Sequence, residues 1–396
     1  MENEVTTTKT KAALTAGAGF APARVLIVPD KFKGTLAAAD ACAAIARGWK
    51  SVRAWDQLEL LPMSDGGDGF GAVMGQLLKA RPRSSQTLDA AHRPIKASWW
   101  WAPDQKLAII EAAQVIGLAR LPAGKFHPFQ LDTFGLGRVL EAAVRAGARH
   151  CLIGIGGSAT NDAGFGLARA LGWKFLDRTD RELEQWWQLD RLVRLIPPGN
   201  AGKLDITVAV DVLNPLLGPR GCSRVYGFQK GIRPEELPFI EKSLRRLTEV
   251  LEQQLSIAHA RTPGAGAAGG LGFGLMAFAG AKVRSGFGEF AQAAHLEERI
   301  GSSDLVITAE GAVDRQTFMG KGVGQVTRLC RQLKIPCITL AGMVNPPAKA
   351  DRSFSSVFAL TQITNLERAK KQPGYYLEKL SAMVARNGFP PTTTNL

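Results

Sequence analysis

One stretch narrows the possible folds more than any other. Gly154-Ile155-Gly156-Gly157-Ser158-Ala159-Thr160-Asn161-Asp162-Ala163-Gly164 follows the apolar run Cys151-Leu152-Ile153 and precedes the mostly apolar Phe165–Leu171. The first run reads as the end of a buried strand and the second as a helix. The turn between them holds four glycines, two hydroxyls, one amide and one carboxylate. Such a turn aims backbone N–H groups and a helix N-terminus at one point, which is how chains hold phosphate oxygens. Asp162 adds a metal ligand or a base. A plain helix cap, with the glycines serving only φ > 0, is the competing reading.

The same grammar recurs along the chain. Val25-Leu26-Ile27-Val28 reads as a buried strand. It ends in Asp30-Lys31-Phe32-Lys33-Gly34-Thr35, and a helix follows from Ala37 to Trp49. Lys33, beside a glycine in a strand-to-helix turn, is a ligand candidate, because open α/β sheets bind ligands at strand ends. Surface solubility is the alternative for Lys31 and Lys33. Leu58–Pro62 is a second strand and runs into Ser64-Asp65-Gly66-Gly67-Asp68-Gly69 and a helix over 72–80. Asp65 and Asp68 with three glycines suit a divalent cation or substrate hydroxyls. Ile95–Trp101 and Lys106–Ile110 read as a strand pair, with Glu111 a ligand candidate at its end. Residues 182–198 are polar and read as a surface excursion.

Ile206–Val210 is β-branched and ends in Asp211, a metal-ligand candidate, with Lys230 a possible phosphate partner further on. A helical stretch over 235–260 leads to Pro263–Gly274, which holds six glycines. Close backbone crossing and phosphate binding explain those glycines equally well. Asp304–Thr308 is another strand and ends in Ala309-Glu310-Gly311. Ile335–Leu340 and Ser356–Leu360 are the last strands, and Tyr375–Val384 is a closing helix.

Five strands (25–29, 58–62, 304–308, 335–340, 356–360) alternate with helical sequence, apart from one long break. The expected fold is α/β: a flavodoxin-like parallel sheet domain with a second α/β domain inserted into it. Residues 1–23 read as a mobile tail. Residues 24–75 and 290–390 form the discontinuous flavodoxin-like domain, and 76–289 the insert. A cleft between the two is the natural ligand site.

Charge and composition remove several function classes. The net charge is +14 over 396 residues, which favours anionic partners. The basic residues are dispersed and not interleaved with aromatics, so nucleic acid is the weaker reading. No apolar run approaches the ~20 residues of a membrane span. The five cysteines form no CxxC pair, which points to a reducing cytoplasm. A Walker A pattern fails at Gly320-Lys321 because Gly322 follows. The protein-kinase motif set, a dinucleotide fingerprint and a serine nucleophile elbow are absent too. What remains pairs glycine with Asp, Glu, Lys, Ser and Thr, an inventory that suits phosphoryl transfer.

Eight ordered motifs then make the reading specific: DKFKGTL, SDGGDGF, GIGGSATNDAGFG, DVLNPLLGPRG, QKG, PGAGAAGGLGFG, DLVITAEGAVDRQT and GK. Together they resemble the bacterial glycerate kinase type-1 family from about Val25 to Val384. The departures are local. Phe228 stands where the family has Pro, Ala309 where it has Gly, and no Pro follows Gly320-Lys321. The resemblance implies ATP- and magnesium-dependent phosphorylation of D-glycerate, with the 2-hydroxyl as the expected acceptor. On it, Gly156, Gly157, Ser158, Thr160, Gly266, Gly269 and Lys230 hold the ATP phosphates. Asp211 and Glu310 bind magnesium, directly or through water. Lys33, Asp65 and Lys321 meet the glycerate, and Asp211 or Asp162 orients the hydroxyl, with Lys33 beside the reacting groups. Two other readings stay open: a kinase of another small hydroxy or sugar acid, and a non-catalytic polyanion-binding protein on the same fold. The sequence leaves the oligomeric state open.

Overall fold

The computed structural model describes residues 22–199, 204–314, 317, 322–345 and 356–387. In chain order the strands are β1 (Arg24–Ile27), β2 (Gln57–Leu60), β3 (Arg81–Leu88), β4 (Pro94–Ala102), β5 (Leu107–Glu111), β6 (His150–Gly154) and β7 (Lys174–Leu176). They continue with β8 (Arg194–Ile196), β9 (Asp205–Ala209), β10 (Lys282–Arg284), β11 (Leu305–Val313), β12 (Cys337–Val344) and β13 (Ser356–Ala359). Two sheets carry the molecule, and β7–β8 is a small separate hairpin.

The first sheet has the order β13-β12-β11-β1-β2, and every pairing is parallel. Counted along the chain this is 2-1-3-4-5, the flavodoxin-like order, with its switch point between β1 and β11. One face is covered by helices Ala38–Lys50 and Pro373–Arg386, which pack on Val25, Ile27, Ile307 and Leu340. Gly48 permits that contact: a Cβ there would lie 2.1 Å from the Glu378 carbonyl oxygen.

The second sheet has the order β10-β9-β6-β5-β4-β3. Its pairs from β10 to β5 are parallel, and β4 and β3 add an antiparallel edge. Helix Phe70–Leu77 lies on this sheet. Cβ atoms on Gly71 and Gly75 would meet Trp100 at 1.9 and 2.5 Å, so the tryptophan ring fills the notch the glycines leave. Trp99 and Trp101 point the other way and are buried, as alternation requires.

One hydrophobic core is shared between the two sheets. It gathers Leu26, Val28 and Val306 of the first sheet region with Ile109, Leu152 and Ala209 of the second, and Met63, Phe70, Phe287 and Phe290 lie among them. The cuts expected at 75 and 290 fall inside helices Phe70–Leu77 and Gly286–Ala293, the two helices that contribute to this core.

Three expectations change. Residues 182–198 are not a surface excursion: Trp186, Leu189, Leu192 and Leu195 are buried against helix Leu237–Leu255. Their polar neighbours hid a local apolar pattern. Residues 81–88, to which the sequence assigned no element, form the edge strand β3, which exposes Arg81, Pro82 and Arg83, residues that blunt edge pairing. Residues 1–21 of the expected tail lie outside the described residues. Ala23, assigned to that tail, is buried and donates its N–H to Asp56 Oδ1 at 3.1 Å. The five cysteines are buried and free, and no described helix is long and apolar enough to cross a membrane.

Candidate active site

The loop after β2, residues 64–69, lies across the C-terminal ends of β6 and β9 of the other sheet. The Gly156 N–H donates to the Gly66 carbonyl at 3.0 Å. A Cβ on Gly66 would sit 2.4 Å from the Ala209 carbonyl oxygen, and one on Gly156 would sit 2.6 Å from the Gly67 Cα. Backbone therefore meets backbone, and only glycine allows it. Gly66 also has φ +97. The motifs DKFKGTL, SDGGDGF, GIGGSATNDAGFG and DVLNPLLGPRG meet here because they follow β1, β2, β6 and β9.

Two acids from the second sheet fasten the helices that start here. Glu111, at the end of β5, accepts from the Gly69 and Gly71 N–H groups at 3.1 and 3.0 Å. It is a helix cap and not the free ligand expected, and burial pushes its pKa up. Asp211, after β9, accepts from the Ser285 hydroxyl at 2.7 Å and from the Phe287 N–H at 2.9 Å. Burial raises its pKa first, and the nearby negative charge of Asp65 adds to the rise. Asp65 lies 3.8 Å from the Lys31 ammonium, which also donates to the Asp68 carbonyl at 3.3 Å. Lys31, Asp65 and Asp211 thus bring the ends of β1, β2 and β9 together. Lys31 carries the lysine contact to this group. Lys33 is exposed on the tight turn between Phe32 and Leu36, beside Gly311 at the end of β11.

A second cluster forms around Lys230. Its ammonium is buried and donates to the Ser158 hydroxyl at 3.1 Å and to the Thr160 carbonyl at 2.7 Å. Desolvation lowers its pKa to about 8, against smaller raising effects of Cys222 and Asp162. The Thr160 hydroxyl beside it is buried without a hydrogen-bond partner. A lysine buried on a hydroxyl and a carbonyl, with no salt bridge to a carboxylate among the described residues, suits an incoming anion. Ser223 connects this cluster to the next helix by accepting from Asn161 Nδ2 at 2.8 Å.

The remaining predicted residues divide by geometry. Asp162 is wholly buried. Its Oδ2 accepts from the Thr133 N–H and hydroxyl and from the Gly166 N–H at 2.9, 2.7 and 3.0 Å. It caps helix Phe165–Ala170 and ties it to the start of helix Phe134–Arg145. This is the helix-cap reading, and it leaves no exposed oxygen to orient a substrate. Burial, aided by the charge of Asp132, raises its pKa to about 6.

Gly266 and Gly269 are crossing points. Cβ atoms there would lie 2.2 Å from the Pro215 carbonyl oxygen and 1.9 Å from that of Thr160. The Gly266 N–H is spent on Asn214 and the Gly156 N–H on Gly66. Gly157 has φ +78, and its carbonyl accepts from Leu118. Ala268, Gly269 and Gly270 form a left-handed turn that delays the right-handed helix to Leu271. Glu310 is buried near the end of β11. Among the described residues no group of three His, Cys, Asp or Glu side chains is placed to hold a metal. Lys321 lies outside the described residues.

Sequence reasoning passed over Lys31 and Ser285. Lys31 carried the same cue as Lys33. Ser285 before Gly286-Phe287-Gly288 has an N-cap pattern, and its hydroxyl accepts from Gly288 N–H at 3.1 Å.

Flavodoxin-like strand order, a second, mostly parallel sheet and glycine-rich loops where their strand ends meet fit an α/β phosphotransferase. A profile of the glycerate kinase family matches residues 25–387, and the chain belongs to that family. The Bacillus subtilis glycerate kinase is 33% identical over 91% of this chain and 97% of its own length. The Escherichia coli glycerate 2-kinase is 35% identical over 87% of this chain and 93% of its own. A crystal structure described as a candidate glycerate kinase 2 from Salmonella typhimurium LT2 superposes with a TM-score of 0.78 at 32% identity. It covers 93% of this chain and 98% of that one.

Proposed function

We propose that the chain transfers the terminal phosphoryl group of ATP to the 2-hydroxyl of D-glycerate, in a cleft between two domains built on the two sheets. The observation that carries the reading is the convergence of Lys31, Asp65 and Asp211 from three strands of different sheets. The name of the Escherichia coli relative, glycerate 2-kinase, supports the choice of hydroxyl.

In this reading Lys31 and Lys33 attract the glycerate carboxylate and Asp65 accepts from a substrate hydroxyl. Lys321 joins them on the family resemblance alone. Asp211 is better placed than Asp162 to orient the reacting hydroxyl. It is partly accessible, and its raised pKa brings it toward proton transfer. Ser158, Thr160 and Lys230 neutralise phosphate oxygens, where positioned donors act most strongly in a water-poor site. Gly156, Gly157, Gly266 and Gly269 set the shape of that cradle without each supplying an N–H. Asp65 and Asp211 repel one another, a donor set that fits a divalent cation. Magnesium keeps several waters and takes only one or two carboxylates, so Asp211 would hold it, with Glu310 added on the family resemblance alone. When bound it spreads the charge of the phosphate oxygens.

The test is ADP release by purified protein given ATP, a magnesium salt and D-glycerate. Release that needs both substrates, with 2-phosphoglycerate as product, is the expected result. Release with another hydroxy acid but not D-glycerate would move the assignment to a neighbouring substrate, and none at all would end it.

A further inference from the structure

Ser285 is the residue between β10 and helix Gly286–Ala293. β10 pairs with β9 so that Arg284 faces Ala209, and the Val210 N–H donates to the Arg284 carbonyl at 3.0 Å. Strand pairing therefore sets Ser285 beside Asp211, and its hydroxyl has two partners. It accepts from the Gly288 N–H at 3.1 Å and lies 2.7 Å from Asp211 Oδ1. An N–H only donates, and a hydroxyl carries one proton. The serine proton is thus directed to Asp211 Oδ1. The other oxygen, Oδ2, accepts from the Phe287 N–H at 2.9 Å. One turn supplies a fixed donor to each oxygen, which holds the carboxylate plane and leaves lone pairs free on both. Gly286, between those two donors, presses on the other acid: a Cβ there would lie 2.1 Å from the Asp65 carbonyl oxygen. Ser285-Gly286-Phe287 therefore holds the Asp211 side chain against the loop that carries Asp65.

We propose that Ser285 is a positioning residue for phosphoryl transfer: its hydroxyl fixes the Asp211 carboxylate in the orientation that receives the reacting hydroxyl of the substrate. This rests on the phosphoryl-transfer reading above. Without the serine hydroxyl, backbone N–H groups alone hold the carboxylate, and Oδ1 loses its 2.7 Å partner. A small misplacement of a reacting group can cost ~10²-fold in rate. Ser285 touches no substrate atom in this scheme, so its loss lowers kcat and leaves both KM values in place. The serine also caps its helix, and glycine separates the two roles, because it caps nearly as well but has no hydroxyl. Threonine keeps the hydroxyl, and Ser285 is exposed, so the added methyl has room.

The experiment measures kcat, both KM values and thermal melting with ATP, a magnesium salt and D-glycerate. It compares wild type, Ser285→Gly, Ser285→Thr, Asp211→Asn and the double variant Ser285→Gly/Asp211→Asn. The expected result is a kcat lowered about 10–100-fold in Ser285→Gly, with both KM values and the melting temperature nearly unchanged. Threonine should restore most of kcat. In the Asp211→Asn background the glycine should cost nothing more, because the serine acts only through Asp211. A Ser285→Gly kcat equal to that of wild type would overturn the proposal. So would a threonine variant as slow as the glycine one, an equal cost of glycine in both backgrounds, or turnover lost together with the cooperative melt. The phosphoryl-transfer reading survives each of these. An Asp211→Asn enzyme as fast as wild type overturns the role of Asp211 and this proposal with it, and no ADP release by wild type ends the phosphoryl-transfer reading as well.

Discussion

On the proposed reading, Lys230 trades stability for binding. Its pKa is lowered to about 8 by burial, against an ordinary lysine value near 10.4. The unfolded chain therefore binds more protons than the folded one between these values. This lysine's contribution to stability is full above the unfolded value and is lost as pH falls through about 8. At neutral pH the buried ammonium is a liability that an anion relieves. Lys230→Met should keep the melting temperature at pH 7 or raise it. It should also raise the KM for the nucleotide by about 10-fold or more, the scale of one charge-assisted hydrogen bond. In wild type the nucleotide KM should climb as pH rises through about 8, a profile that the methionine variant lacks. Asp162 makes the opposite case. Asp162→Ala orphans the Thr133 and Gly166 N–H groups, each costing ~1–3 kcal/mol, so denaturant melts should show a marked loss of stability. A variant that melts normally but turns over poorly would return Asp162 to the chemistry.

At the scale of elements, the site is made by caps and close approaches. Helices Phe70–Leu77 and Gly286–Ala293 begin on acids from the second sheet, Glu111 and Asp211. The loop between β2 and the first of these helices is pressed onto β6 and β9 through glycine. Gly156→Ala should push that loop away, since its Cβ would fall 2.6 Å from the Gly67 Cα. A large rise in the D-glycerate KM, with lowered stability, is the expected outcome in kinetics and melting.

Much of this was legible in the sequence. Short apolar runs leading into acidic turns marked the strand ends before Asp65 and Asp211, because strand period and turn chemistry are local, whereas Glu310 lies inside β11, which runs on to Val313. Partners across space were not legible. Nothing near Glu111 says that its carboxylate caps a helix beginning at Phe70, and nothing near Gly269 says that Thr160 will lie against it. The polar run holding Trp186 failed for the same reason. Its burial is decided by helix Leu237–Leu255, far along the chain.

On the scale of the molecule, two sheets point the same ends of their strands at one region, and a shared core around Met63 and Phe70 joins them. The net charge of +14 favours the approach of small anions to the molecule. Catalytic efficiency should therefore fall as salt rises, since exposed charges are screened over ~8 Å at physiological ionic strength. Efficiency that is flat with salt, alongside salt-sensitive DNA binding, would instead favour a polyanion-binding role.

The central claim is that Asp211 serves the chemistry from the end of β9. Steady-state turnover of D-glycerate and ATP by wild type and Asp211→Asn tests it most directly. Asparagine can still accept from Phe287 N–H and pair with Ser285, so the melting temperature should hold. The account predicts kcat lowered by about 10²–10⁴. A variant that turns over like wild type, or one that fails only because it no longer folds, would contradict it.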